Sequence, residues 1–529
     1  MKKLLYAAAA LFTFSVISSC KKFLDVNTNP NAPVTTDASN LMPPMLANME
    51  RGLWFDGRYV GQYAQQWGAS TTDNVWDREG YAPASDAAGE MWRTHYYGLG
   101  ANIFLMRNDA LAKKNYDYVG ASYAMLAWGW QTSVDLYNNM PLKEAFDETK
   151  LTFNYDEPQD VYDEVVNECK TALNYFNLSL QNSAPVVSSN FARGDYMYYG
   201  DRKKWIRFTY AILATNAAHL SNKPNYNPDL VIKYVDSSFV DNNDNASIQN
   251  TGSQSGDSNF WGTARQNLNG FRQSDYMVRL LDGRIFTGSS IPDTTLDPRI
   301  RLLLTASRDG QYRGVVASNG DPNAVDANTS IPYMWGTLST SPLPAANLPT
   351  AKYIFRDDAR GVLMTYSMLQ FMKAEALLRK GDKAGALDAY KKGISGNLDF
   401  VSNPPTKNVQ VGGTNYISAT AKAAYLAGKC VKQDANSLQM SDIMQQKFIA
   451  LFGWGQLEAW ADMRRFRYDT GIFQGYVKPG SLYTDNGGKQ VYRIRPRYNS
   501  EYIWNVPSLQ RIGALQPDYH TKEPWFILP

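Results

Sequence analysis

Residues 361–395 read GVLMTYSMLQFMKAEALLRKGDKAGALDAYKKGIS. Apolar side chains recur at helical spacing, which predicts helix over 361–396, divided in two at Gly381-Asp382. The second half carries Ala386, Tyr390 and Gly393, spaced four and three, on one face. The small residues admit a neighbouring helix closely, and the aromatic ring between them fills the gap. The expectation is a pair of tightly packed antiparallel helices.

That small–aromatic–small triplet resembles the second helix of a tetratricopeptide (TPR) unit. Any antiparallel pair would show the same spacing, and the full repeat of about 34 residues does not recur cleanly. Outward from this pair, helical patterns cover 41–67, 89–113, 117–139, 158–178, 201–221 and 228–240, with a further one at 439–467. Asp201 stands where an N-cap is needed, and Gly453 and Gly455 mark a break inside the last helix. Cys169 falls on an apolar helical stripe and reads as a core thiol. Residues 241–355 are rich in Asn, Ser, Gly, Thr and Pro and predict irregular loops with a few short helices or strands. Residues 397–417 read as a loop and 470–529 as a largely irregular tail. The expected organisation is a helical part over 41–240, an irregular insert over 241–360, and a C-terminal part over 361–529.

The first twenty residues are MKKLLYAAAALFTFSVISSC. Two lysines precede an apolar run, residues 4–17, too short to cross a bilayer core of about 30 Å as a helix. Residues 1–19 therefore read as a signal peptide. Ile17-Ser18-Ser19-Cys20 resembles a bacterial lipobox, so Cys20 is the expected lipidation site and residues 20–40 a Pro-containing arm. Acyl chains contribute about 0.8 kcal/mol per buried CH₂, enough for several to hold a soluble body at a membrane.

Composition narrows the function. Among 529 residues, 53 basic side chains balance 50 acidic ones, without the basic excess of a nucleic-acid binder. A mean hydropathy of −0.41 excludes a polytopic membrane protein. Three Cys and three His exclude a disulfide scaffold or a Cys/His zinc cluster. The phosphate-loop, dinucleotide, nucleophile-elbow and zincin motifs are all missing. His95, His219 and His520 are scattered singly. Asp241, Asn243 and Asn245 begin like a calcium loop, but Ala246 and Gly252 stand where Gly and Glu are needed. The reading is a non-enzymatic protein without cofactor or metal. A paired-carboxylate glycosidase stays open, because nothing singles out a pair.

Several segments, in this order, resemble the SusD/RagB family of outer-membrane lipoproteins. They are LDVNTNPNAPVTT (24–36), WGWQTSVDLYNNMPLKEAF (128–146), DRKKW (201–205), DPR (297–299), MLQFMKAEALLRKGDKAGA (368–386), QQKFIALFGWGQLEAWADMRR (445–465) and RIRPRYNSEY (493–502). Asn499 departs from the family's usual Pro, and Lys21-Lys22 rather than acids follow Cys20. The resemblance implies a mainly α fold, a TPR-like helical-pair superhelix with a large irregular insert. It implies a cell-surface protein, lipid-anchored in the outer membrane, that captures oligosaccharides as the lid of a SusC-like TonB-dependent transporter. The alternatives are a peptide ligand in the same lid role, or a periplasmic scaffold that binds protein only.

A sugar ring presents an apolar C–H face and a hydroxyl rim, so aromatic rings with amides, carboxylates and Arg beside them suit it. Such residues are expected on loops. Asp73, Asn74, Trp76 and Arg78 in GASTTDNVWDREGY are therefore candidate ligand residues, with Trp261, Tyr276, Tyr333 and Trp335 in the insert. Trp128, Trp130, Trp205, Trp454 and Trp460 fall in helical patterns and are expected to pack internally.

Overall fold

The computed structural model describes residues 36–529, apart from 83, 182–187, 339–342, 344, 345, 347, 349, 350 and 404–415. The signal peptide, Cys20 and most of the arm lie outside the described residues.

The stretch 361–395 folds as two helices preceded by a short strand. Strand β4 (Gly361–Met364) leads into Tyr366–Lys380, which we label α8, and Lys383–Ser402 follows as α9. Gly381 closes α8 at φ +90°, a left-handed value that costs glycine nothing. Asp382 opens α9 by accepting a 2.9 Å bond from the Gly385 amide. Gly393 lets the two helices approach closely, since a Cβ there would lie 2.9 Å from the Phe371 ring of α8. Helix α9 outruns its expected end at 396 and reaches Ser402.

Upstream, α1 (Ala38–Tyr63), α2 (Glu90–Arg93), α3 (Ala101–Lys113), α4 (Tyr116–Tyr137), α5 (Pro158–Ser179), α6 (Arg202–His219) and α7 (Pro228–Asp236) follow the predicted patterns. Helix α4 packs on α5, α5 on α6, α6 on α7, α7 on α8 and α8 on α9, so successive helices build a TPR-like array. Glycine again allows close approach in α4, where a Cβ at Gly120 would lie 2.8 Å from the Phe176 ring. Asp201 caps α6 through the Lys203 and Lys204 amides. Downstream, α10 (Met440–Ala450) and α11 (Gln456–Arg465) are separated at Gly453, φ +85°.

Other boundaries differ from expectation as well: residues 361–364, expected as helix, form β4, and α7 ends at Asp236 rather than 240. The first helix stops at Tyr63 rather than 67: Gln65 is left-handed at φ +54°, and Trp67 opens strand β1 (Trp67–Ala69). The helix expected over 89–113 is interrupted by a π-helical turn at Thr94–Gly100. That turn holds two glycines, and a Cβ at Gly100 would lie 2.7 Å from Phe146, so the missing side chain makes room for an aromatic ring.

The insert is irregular, but it is stitched to the helices. Strand β2 (Ala246–Ile248) pairs antiparallel with β4, and β1 with β3 (Phe271–Gln273). The hydrophobic core runs from Ala38 to Ile527 and takes in Cys169 and all five tryptophans assigned to packing. Asp241 caps a short 3₁₀ turn, Asn242–Asp244, rather than starting a calcium loop. Among the described residues no cluster of His, Cys, Asp and Glu could hold a metal, and no helix is long and apolar enough to cross a membrane.

Candidate functional site

Pairing of β1 with β3 brings the two expected ligand loops together. Ser70 donates to the Gly270 carbonyl at 2.8 Å, and the Asp321 amide donates to the Ser70 carbonyl at 2.9 Å. Loop 68–81 is built around its acids. Asp73 accepts from the Val75 and Trp76 amides (2.7 and 3.1 Å), turning the chain into a 3₁₀ turn. Asp77 accepts from the Ala69 amide at 3.1 Å and anchors the loop to β1. With its amide nitrogen facing the acids, Gln62 of α1 donates to Asp77 (2.6 Å) and Asp73 (3.1 Å). Burial pushes the Asp77 carboxyl up to about 7, with the Ala69 amide opposing and Asp73 adding to the rise. Glu79, left-handed at φ +57° and buried, accepts from Tyr476, Gln490 and the Val491 amide, tying the loop to the C-terminal segment.

Beside this loop, the outer face of α1 carries Phe55, Arg58 and Tyr59, neighbours by the three- and four-residue spacing of a helix. All three are half-buried. The Arg58 guanidinium lies 4.5 Å from the Phe55 ring centre, 4.9 Å from Tyr59 and 5.7 Å from Phe260 of the insert. It donates to Asn267 Oδ1 at 3.4 Å and Tyr59 Oη at 3.2 Å. Tyr59 in turn packs on Trp76, centroids 4.7 Å apart. The cluster joins loop 68–81, α1 and the insert, with exposed Thr71, Thr72, Asn74 and Asn269 in its bounding loops.

A family profile described as starch-binding and associating with the outer membrane matches residues 30–478. The chain belongs to the SusD-like family. Solved structures agree on the fold. A SusD/RagB family protein from Bacteroides thetaiotaomicron is 20% identical, with a TM-score of 0.69, over 93% of this chain and 99% of that one. A chitin-binding SusD homolog from Flavobacterium johnsoniae is 19% identical, with a TM-score of 0.66, over 93% and 98%. A SusD homolog from Bacteroides fragilis is 17% identical, with a TM-score of 0.66, over 93% and 100%. No curated protein matches the sequence.

Within the SusD-like fold, several expected ligand residues are interior. Trp261 is fully buried, stacked on Trp54 (5.5 Å) and edge-on to Trp67 (5.4 Å). Trp335 is equally buried and donates its indole N–H to the Trp261 carbonyl at 2.7 Å. Tyr276 lies in the core against Phe448. These three rings anchor the insert, and the expectation that they stand open on loops is corrected. Trp76 is 7% exposed, wedged between Tyr59, Tyr63 and Tyr81. Tyr333 is half-buried beneath the Arg272 guanidinium, 4.1 Å from its ring centre. Asp73 and Arg78 are half-buried and Asn74 is exposed. Sequence reasoning did not single out Phe55, Arg58, Tyr59, Phe260 or Asn267: the first three lie on a helix, where ligand residues were not expected, and nothing local marks Phe260 and Asn267 within the insert. The available signal was an Arg placed three and four residues from aromatic neighbours on one helix face.

Proposed function

We propose that this SusD-like protein is a lipid-anchored, non-enzymatic capture protein of the outer membrane. It binds neutral oligosaccharides on the Arg58 aromatic cluster and closes as a lid over a SusC-like TonB-dependent transporter. The observation that carries this reading is the gathering of Phe55, Tyr59 and Phe260 around one half-buried guanidinium, with an Asn amide beside it. The half-buried Phe55 and Tyr59 rings suit the C–H faces of a sugar, with the buried Phe260 packed against Phe55 as support, and the guanidinium and amide suit its hydroxyls. Asp73 and Asp77 form a carboxylate pair nearby, but backbone amides and the Gln62 amide occupy their oxygens, which favours a structural role over catalysis. The starch-binding description of the family and the chitin-binding name of a homolog make glucose and N-acetylglucosamine oligomers the first ligands to test.

In calorimetric titration, Arg58→Ala and Tyr59→Ala are each expected to weaken binding of such oligomers about tenfold or more, the scale of an interface hot spot. Wild-type affinity in both variants would remove the cluster from the site. Isolation from native outer membranes with Cys20 intact is expected to co-purify a barrel transporter, and Cys20→Ala to release the protein from the membrane fraction. Recovery of the membrane-bound protein alone, at native expression in mild detergent, would overturn the lid role.

A further inference from the structure

A concavity elsewhere on the molecule shares no residue with the Arg58 cluster. Its cavity volume is about 940 Å³, at the upper end of the ~300–1,000 Å³ usual for ligand sites. One wall is the π-helical turn Thr94–Gly100 with the start of α3. The facing wall comes from residues 141–153, and residues 497–501 close one end.

Three features set this groove apart from ordinary surface. Its apolar side chains stay in solvent: Tyr97 is 72% exposed and Leu105 56%, over a half-buried layer of Tyr96, Phe104, Phe146 and Phe153. Contiguous apolar surface of this kind marks binding sites. Its backbone is irregular where it lines the groove. Both π-helical turns among the described residues, Thr94–Gly100 and Tyr498–Tyr502, contribute side chains to it, and such turns concentrate at functional sites. Phe146, bulky and left-handed at φ +67°, is held by rings at 5.1 Å (Phe104) and 5.9 Å (Tyr96).

The polar rim defines the ligand. Each basic side chain in the groove already holds a carboxylate: Arg93 that of Glu90, Lys150 that of Glu144 and Arg497 that of Asp86. Glu501 accepts from Tyr155 at 2.7 Å and Asn505 at 3.0 Å. An anionic ligand would have to break one of these ion pairs. A neutral ligand needs only their spare lone pairs and N–H groups. Ser500 Oγ is shielded from solvent and has no hydrogen-bond partner among the described residues, leaving one polar atom unsatisfied in the wall. Asp147, Glu148 and Glu501 also line the groove and form no ion pair among the described residues, so the rim repels anions, and flat exposed rings beside these acceptors match a neutral molecule with apolar ring faces and many hydroxyls.

We propose that this groove is a second binding site for a neutral oligosaccharide, independent of the Arg58 cluster. The proposal rests on the reading of the chain as a glycan binder. It is tested by calorimetry on the full chain with a panel of neutral hexamers built from glucose, N-acetylglucosamine, xylose and mannose. The expected result is two sites per chain, with Tyr97→Ala and Leu105→Ala each weakening one of them about tenfold and leaving the other intact. Both side chains are exposed, so the variants keep the core. A single site lost in Arg58→Ala and unchanged in Tyr97→Ala and Leu105→Ala overturns the groove and leaves the capture function standing. A single site lost in Tyr97→Ala and unchanged in Arg58→Ala supports the groove and overturns the Arg58 cluster. Failure of every hexamer to bind overturns both. Groove variants that alter binding only of a parallel peptide panel overturn the oligosaccharide assignment.

Discussion

Arg465→Met is expected to destabilise the protein by about 3–5 kcal/mol, the scale for removing one partner from a buried ion pair. Arg465 is 2% exposed. It grips Glu375 of α8 with two parallel bonds of 2.8 Å, Asp462 at 2.6 Å and Ser221 Oγ at 2.7 Å. Lys447 extends the network to Asp462 (2.8 Å) and Glu458 (2.7 Å). Burial alone would raise the Glu375 carboxyl, but Arg465 and Arg379 hold it down at about 2. Methionine fills much of the Arg volume and carries no charge, leaving Glu375 without its main partner. The loss should appear as a lower denaturant midpoint at unchanged slope. Arg465→Met combined with Glu375→Gln should cost less than the two single changes summed, by about 0.5–3 kcal/mol, because the orphaned charge is gone. A single-variant loss below about 1 kcal/mol would mean that water or rearrangement satisfies Glu375, and the network would not be what holds α11 to α8. The consequence reaches the candidate site, since α11 also packs on α1, which carries Arg58.

The helical architecture was legible in the sequence because it is local. Gly381-Asp382 fixes a helix end and a helix start from two adjacent residues, and the spacing of Ala386, Tyr390 and Gly393 needs only one helix to be seen. The QQKFIALFGWGQLEAWADMRR segment was legible as two helices with a glycine break, but its chemistry was not. Lys447, Glu458, Asp462 and Arg465 look like a solvated charged face until α6 and α8 cover them with His219 and Glu375. The same non-local cause hid the Arg58 cluster. Phe55 and Tyr59 follow the helical period of a core stripe, and only the arrival of Phe260 from two hundred residues away gives Arg58 its third ring. The loop tryptophans failed in the opposite direction. A loop residue is open by default, yet Trp261 and Trp335 serve as the small core that a loop-rich insert needs in order to stay folded, one stacking on Trp54 and the other bonded to its carbonyl.

His219 gives the second large effect, and it is a dependence on pH. The ring is buried between two acids, Nδ1 3.0 Å from Asp135 Oδ2 and Nε2 3.0 Å from Glu458 Oε2. Burial pulls its pKa down, but the two carboxylates outweigh this and push it up to about 9 from the ordinary 6.5. A cation whose folded pKa is raised stabilises the fold fully below the unfolded value, and that stabilisation is lost as pH climbs through the folded one. At 1.36 kcal/mol per unit, the window from 6.5 to about 9 is worth about 3 kcal/mol. Other buried acids act in the same direction but earlier. Burial holds Glu50, Asp56, Asp77 and Glu168 up at about 7, so each costs stability as pH rises from its unfolded range near 4, is half ionised at 7 and largely ionised by about 8. Between pH 7 and 9 the last of that ionisation and the buried Lys352 ammonium, held down at about 8 and acting in the opposite direction, overlap with His219, so its share is read from the gap between wild type and a His219 variant. Denaturant titrations at intervals from pH 5 to 10 should show wild type losing stability across both windows. His219→Gln should lie about 3 kcal/mol below wild type near pH 6, keep the first fall, close the gap to wild type steadily between 7 and 9, and meet the wild-type curve above 9. A variant that keeps the wild-type slope between 7 and 9 would mean that the folded protein holds His219 neutral, with its two carboxylates supported by Lys447 and Tyr162 instead.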